Sequence, residues 1–281
     1  INTGAAFAVP QTGWGASFWG SGTWGIGATS TNAIRLWSQS NFGEDLIFGP
    51  RNGPIYYWDV TSGVTARGVE LSTLSGASDV PTSQRIIEIS DINRFVFAFG
   101  ANEFGTSVVN PMLVRWSDQG SAVNWTPSVT SQAGFLTLSR GSEIVSAKQS
   151  RQEVLVWTDA ALYAMQYVGA PVVWSAQLVG ENISIAGQNA VAYANGVSYW
   201  MGKDKFYKYD GRVQPLRCDL RKFIFDDFND QQYDQVVAGT NESYHEVWWF
   251  YCSNDATQSD RYVVYNYLED VWYYGTMSRT A

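Results

Sequence analysis

Histidine occurs once in these 281 residues, at position 245, and cysteine twice, at 218 and 252. A Ser-His-Asp type of triad would rest wholly on His245. In "YHEVWW" that residue opens a strand, where edge hydrogen bonding is its ordinary role. One imidazole and two distant thiols supply no spaced zinc ligand set, so no metal is expected. Two cysteines make no disulfide framework, and Cys218 and Cys252 read as free, partly buried thiols, with one bridge between them as the alternative. Charge is scarce too: 16% of residues carry one, the first is Arg35, and the net charge is −8. A protein that binds nucleic acid by neutralising phosphates needs the opposite balance. No glycine-rich phosphate loop occurs, because Gly13, Gly15, Gly20 and Gly22 do not join a strand to a helix and no lysine follows.

The carboxylates offer little more. Asp226, Asp227, Asp230 and Asp234 form an acidic cluster, but Arg217, Arg221 and Lys222 directly precede it. A solvated helix face accounts for that pattern without an acid–base pair. "DATQSD" at 255–260 lacks the D-x-D-x-D-G order of a calcium loop and reads as a flexible loop. Neither catalytic residues nor a cofactor are expected, and the chain does not read as an enzyme.

What the chain has in quantity is aromatic side chains, 15% of all residues. They lie in short apolar runs between turn residues. "EDLIFGPRNGPIYYWDVTSG" predicts strands at 44–48 and 54–59 around Asn52-Gly53, and "RQEVLVWTDAALYAMQYVG" predicts a hairpin turning near Thr158-Asp159. "HEVWWFYCSNDATQSDRYVVYNYLEDVWYYG" predicts three strands, the last two joined by a tight turn at 268–270. Runs rich in Val, Tyr, Trp and Phe, bounded by Gly, Asn and Asp, are strand signals.

Spacing organises these runs. Leu46, Phe95, Val154, Val197 and Val247, taken as equivalent positions, stand 49, 59, 43 and 50 residues apart. A further strand precedes each hairpin, as in "RIIEIS", "SEIVSAK" and "YDQVVAGT", and there is room for a fourth after it. Four strands per unit of about 45 residues is the pattern of a propeller blade. The expected fold is therefore all-β: a β-propeller of about five four-stranded blades over residues 33–281, preceded by a Gly/Trp-rich arm over 1–32. A β-sandwich is the alternative, since it also uses short, regularly spaced strands. "AIRLW" at 33–37 is expected to close the ring by pairing with the terminal blade. One helical stretch is predicted in 219–230, with Leu220, Phe223, Ile224 and Phe228 on one face, Asp219 as cap and Lys222 with Asp226 as an i,i+4 pair.

The arm contains "GWGASFWGSGTWGIG", with Trp14, Trp19 and Trp24 each followed by glycine and none within a predicted strand. Its glycines and serines rule out a membrane span, and a secretory leader would need a basic start and an apolar core. Burying a large apolar side chain contributes roughly 1.5–3 kcal/mol, whereas ordering backbone costs about 1–2 kcal/mol per residue. Three indoles cannot order such a segment alone. Backbone pairing with a partner sheet is needed as well, so Trp14, Trp19 and Trp24 are the expected subunit-contact residues. The other tryptophans, such as Trp157, Trp200, Trp248 or Trp249 and Trp272, are expected to fill blade interiors.

Together the arm and the segments "MLVRWSDQGSAVNWTPS", "VLVWTDAALYAMQYVG", "VSYWMGKDKFYKYDG", "HEVWWFYCS" and "RYVVYNYLEDVWYYGTMSRTA" resemble propeller-bearing tail proteins of short-tailed bacteriophages, of the nozzle or hub type. The resemblance runs over nearly the whole chain, and its motifs are structural. It implies a non-enzymatic virion protein, assembled in the host cytoplasm into a homo-oligomeric ring below the portal and adaptor. Such a ring contacts spike or fibre proteins and lets phage DNA pass at ejection without specific binding or membrane insertion. The chain starts at Ile1 rather than Met and stops after "SRTA", so it is expected to be a piece or processed form of something longer. Two other classes fit the composition: a glycan-binding, lectin-like propeller using Trp and Tyr platforms, and a glycoside-processing enzyme with two carboxylates about 5–10 Å apart.

Overall fold

The structure, a computed structural model, describes Ala6 and residues 8–11 and 30–278. β1 (Val9–Gln11) and β2 (Ser30–Asn32) form an antiparallel ribbon in which Val9 faces Asn32 and Gln11 faces Ser30. Trp14, Trp19 and Trp24 lie outside the described residues.

Five four-stranded antiparallel sheets follow, each built from four consecutive strands. The first holds β3 (Trp37–Phe42), β4 (Asp45–Pro50), β5 (Tyr56–Trp58) and β6 (Val69–Glu70). The second holds β7 (Ile86–Ser90), β8 (Phe95–Phe99), β9 (Leu113–Trp116) and β10 (Gly134–Thr137). β11 (Ile144–Gln149), β12 (Val154–Thr158), β13 (Ala161–Gly169) and β14 (Val173–Glu181) make the third. β15 (Val191–Ala194), β16 (Val197–Met201), β17 (Phe206–Tyr209) and β18 (Val213–Pro215) make the fourth. The fifth holds β19 (Val237–Asn241), β20 (Glu246–Tyr251), β21 (Arg261–Asn266) and β22 (Val271–Thr276). Residues from the opening strands of all five sheets line one central channel. The chain is a five-bladed β-propeller, and the sandwich alternative falls. Leu46, Phe95, Val154, Val197 and Val247 each lie in the second strand of a different blade, which is why their spacing carried the blade period.

Local chemistry explains the hairpins. β15 and β16 are joined by Asn195 and Gly196 alone, with φ of 48° and 81°. Two left-handed residues make the turn whose twist matches the strands, and Asn-Gly is the pair that adopts it most readily. The 268–270 turn is held by the Asn266 side chain, whose Oδ1 accepts from the N–H groups of Leu268 and Glu269, both at 3.0 Å.

Aromatic and aliphatic side chains fill the gaps between blades. One buried cluster joins the first and second blades, another the second and third, and the largest runs from the third through the fifth. Within the largest, Trp157 of the third blade meets Trp200 of the fourth edge to face, with ring centroids 5.5 Å apart. β7, β8, β9 and β12 are buried along their whole length, as strands covered on both faces must be. β20 alternates instead: Val247, Trp249 and Tyr251 are buried toward the fourth blade, and Glu246 and Trp248 are half-exposed on the other face.

The short helix α1 (Arg221–Asp226) sits where expected, between the fourth and fifth blades, with Ile224 and nearby Phe228 in the largest cluster. Its details differ from the sequence reading. Leu220 is the N-cap residue and Asp219 makes no capping bond. Asp219 pairs with Arg217 at 3.6 Å. Phe223 is exposed, and Phe225 packs inward against Phe206. Six residues are too few for the helical period to dictate which aromatic faces the core, so the blade decides. Ring closure also differs: Trp37 begins β3 and pairs with Pro50 of its own sheet.

Candidate functional site

Two regions combine geometry with chemistry. The first is the central channel, a cavity of about 610 Å³. Its wall carries two charged residues, Glu88 on β7 and Lys148 on β11, among amides such as Gln39, Gln188 and Asn189. Glu88 is 8% exposed. Burial pushes its carboxyl up to about 7, against the pull of the Lys148 ammonium and the Gln149 backbone N–H. The Gln188 Oε1 is buried without a hydrogen-bond partner. Sequence reasoning passed over Glu88, although a carboxylate inside the apolar run "RIIEIS" was a visible signal. Nothing in the sequence marked Gln188.

The second region is the seam between the fifth and first blades. Among the described residues no buried apolar cluster joins those two blades. Polar contacts tie them. Arg51 donates to Asp234 Oδ2 at 2.8 Å and to the Ile34 carbonyl at 2.7 Å. Beside the seam, and apart from the contacts that close it, the Gln232 side chain anchors the N-terminal segment: it accepts from the Ala8 N–H at 3.0 Å and donates to the Ala8 carbonyl at 2.7 Å. Aromatic pairs flank the seam, Phe48 stacked on Tyr56 at 5.6 Å in the first blade and Trp248 on Tyr262 at 5.0 Å in the fifth. β22, the outer strand of the fifth blade, reads "VWYYGT" and has no charge; Tyr273 and Tyr274 on it are 49% and 54% exposed.

The residues weighed for chemistry from sequence are dispersed. His245 sits at φ 60° as the C-cap of a short 3-10 turn just before β20, edge-on to Tyr267, with no carboxylate or hydroxyl bonded to its ring among the described contacts. The acidic cluster is split by its partners, which are not the basic residues before it. Asp227 pairs with Arg261 at 3.3 Å and Asp234 with Arg51. Asp260, in the 255–260 loop, accepts from Ser253 N–H at 2.8 Å and closes the loop on itself. Cys218 and Cys252 are free thiols, both pushed up to about 11 by burial. Trp157, Trp200 and Trp249 are fully buried in blades, whereas Trp248 faces the seam. Among the described residues no group of His, Cys, Asp and Glu is placed to hold a metal, and no helix is long and apolar enough to cross a membrane.

No protein-family model and no curated protein matches the chain. Solved structures do resemble it. A computationally designed protein, Ika8, is 11% identical at a TM-score of 0.48, over 89% of this chain and 63% of its own. Hsv2 from Kluyveromyces lactis is 12% identical at 0.44, over 87% of this chain and 66% of its own. The extracellular domain of a hybrid two-component system protein, BT4673 of B. thetaiotaomicron, is 13% identical at 0.45, over 79% of this chain and 27% of its own. The chain thus spans less than two thirds of the length of the designed protein.

Proposed function

We propose that this propeller is a structural, non-enzymatic component of a short-tailed phage tail, of the nozzle or hub type, working as a ring of identical copies. The observation that supports the reading is β22. Natural proteins protect a sheet edge with charge, proline, brevity or cover. β22 is six residues long, uncharged and lacks proline, and it presents two tyrosines to the outside. Such an edge suits a protein contact made by backbone pairing and buried aromatic rings. The arm with Trp14, Trp19 and Trp24 is proposed as a second contact of the same kind.

DNA passage in this scheme belongs to the middle of the ring of copies. The propeller's own channel, at about 610 Å³, has the volume of a small-ligand site. The net charge of −8 favours a surface past which DNA slides. The test is mass and symmetry measurement on native tails, together with two variants. Deletion of residues 1–30 and Tyr273→Lys should each leave a folded propeller that fails to join particles. If the chain is absent from purified tails, or if both variants assemble as well as the parent protein, the reading is wrong.

A further inference from the structure

A cleft of about 450 Å³ lies between the third and fourth blades, at the rim where the tight turns at 150–153, 195–196 and 210–212 emerge. The third blade contributes Arg151, Glu153 and Gln166, and the fourth contributes Tyr193, Tyr209 and Asp210. Gln166 Nε2 donates to Glu153 Oε2 at 3.2 Å. The Tyr209 phenol, pushed up to about 12 by burial and by the Glu153 carboxylate, faces the same residue from across the gap. Glu153 thus stands in the cleft with its own blade's amide on one side and the fourth blade's phenol on the other. Asp210 stands 3.5 Å from the Lys208 ammonium. Gly196 and Gly211, at φ of 81° and 99°, form the rim, and a Cβ on either would meet no atom within 4 Å. Tyr193 borders both this cleft and the central channel.

We propose that this cleft is a saccharide-binding site for a neutral sugar of one or two rings. The proposal rests on the fold and these side chains, not on the tail role. A sugar hydroxyl both donates and accepts, so a site for it needs planar acceptors and donors close together. Glu153 and Asp210 are the acceptors, and the Arg151 guanidinium and Gln166 amide are the donors. Tyr193 supplies an aromatic ring with a polar tip, suited to lie against the apolar face of a pyranose while its hydroxyl stays wet. The volume falls inside the small-ligand range of about 300–1,000 Å³. Charge selects the class: two carboxylates beside Arg151 and the neighbouring Lys208 leave no cationic excess to hold a phosphate. Both carboxylates are already engaged, Glu153 by the Gln166 amide and Asp210 by an ammonium, which favours retention of a sugar over its hydrolysis.

The experiment is saturation-transfer NMR on the full chain with lactose, maltose and cellobiose, each titrated to about 20 mM, well above a Kd of about 1 mM. Inorganic phosphate serves as the contrasting probe. The expected result is saturable binding of at least one disaccharide, none of phosphate, and at least a tenfold loss (about 1.4 kcal/mol) in both Gln166→Ala and Tyr193→Ala. Gln166 is exposed, so its substitution leaves the fold intact, and circular dichroism checks both variants. Absence of saturable binding for all three sugars, saturable binding of phosphate, or binding that survives the Gln166→Ala substitution overturns the proposal.

Discussion

Arg51→Ala tests how the ring is closed. The Arg51 side chain is 9% exposed and its partner Asp234 is 29% exposed. Removing the guanidinium deletes one bond to the carboxylate and one to the Ile34 carbonyl. A hydrogen bond to a charged group contributes about 1.5–3 kcal/mol, and breaking a fully buried pair costs about 3–5 kcal/mol. Water reaches Asp234 and discounts both figures, which leaves a loss of about 2 kcal/mol. Asp234→Ala is expected to cost at least as much, because the stranded group is then the guanidinium, nine-tenths buried with only Ile34 left to accept from it. A double-mutant cycle should return a coupling of about 1–2 kcal/mol. Urea unfolding followed by tryptophan fluorescence measures all three variants, and a change of about 4–8 °C in Tm should accompany the single substitutions. Hydrogen exchange gives the location: β3 and β19 should lose protection in Arg51→Ala while β12 and β16 keep theirs. A cost below about 0.5 kcal/mol, typical of a surface pair, would refute the idea that this ion pair closes the seam.

Other outcomes follow from single sites. Glu88 is an acid whose folded-state value is raised from 4.5 to about 7, so its contribution is intact below pH 4.5 and is lost as pH rises to about 7. Relative to Glu88→Gln, the parent protein should lose about 3 kcal/mol between pH 4.5 and 8 in urea titrations; a difference that stays flat with pH contradicts the assignment. Trp157→Phe should cost less than Trp249→Phe, because the buried Trp157 Nε1 has no partner whereas Trp249 Nε1 donates to the Ala190 carbonyl at 3.0 Å. Equal losses by thermal denaturation would count against that account. His245→Gly should leave stability within about 1 kcal/mol, since glycine accepts a φ of 60° more easily than histidine does. A larger loss would show that the imidazole, rather than the backbone, matters there.

Much of the fold was legible because blades are local objects. Each sheet is four consecutive strands, so hairpin signals such as Asn195-Gly196 and the apolar runs of β8, β12 and β20 carry nearly the whole topology, and the near-50-residue recurrence counts the blades. The tryptophans inside predicted strands could be placed in blade interiors on the same grounds. Sequence could not say how blades meet. Glu88 and Lys148 are 60 positions apart and become neighbours only because β7 and β11 both open onto the channel. The acidic cluster looked like one solvated face balanced by Arg217, Arg221 and Lys222, but Asp234 found Arg51 across the seam between the fifth and first blades and Asp227 found Arg261 on β21. In α1, Phe223 and Phe225 exchanged the roles that helical spacing suggested, since six residues leave the choice to the surrounding blades. The sequence by itself determined the repeating unit and its number, both of which depend on residues near one another in the chain. Only the tertiary structure decided which carboxyl is buried, which faces flank the seam and which side chains share a cleft, because those properties arise between blades, where ring geometry rather than chain order sets the neighbours.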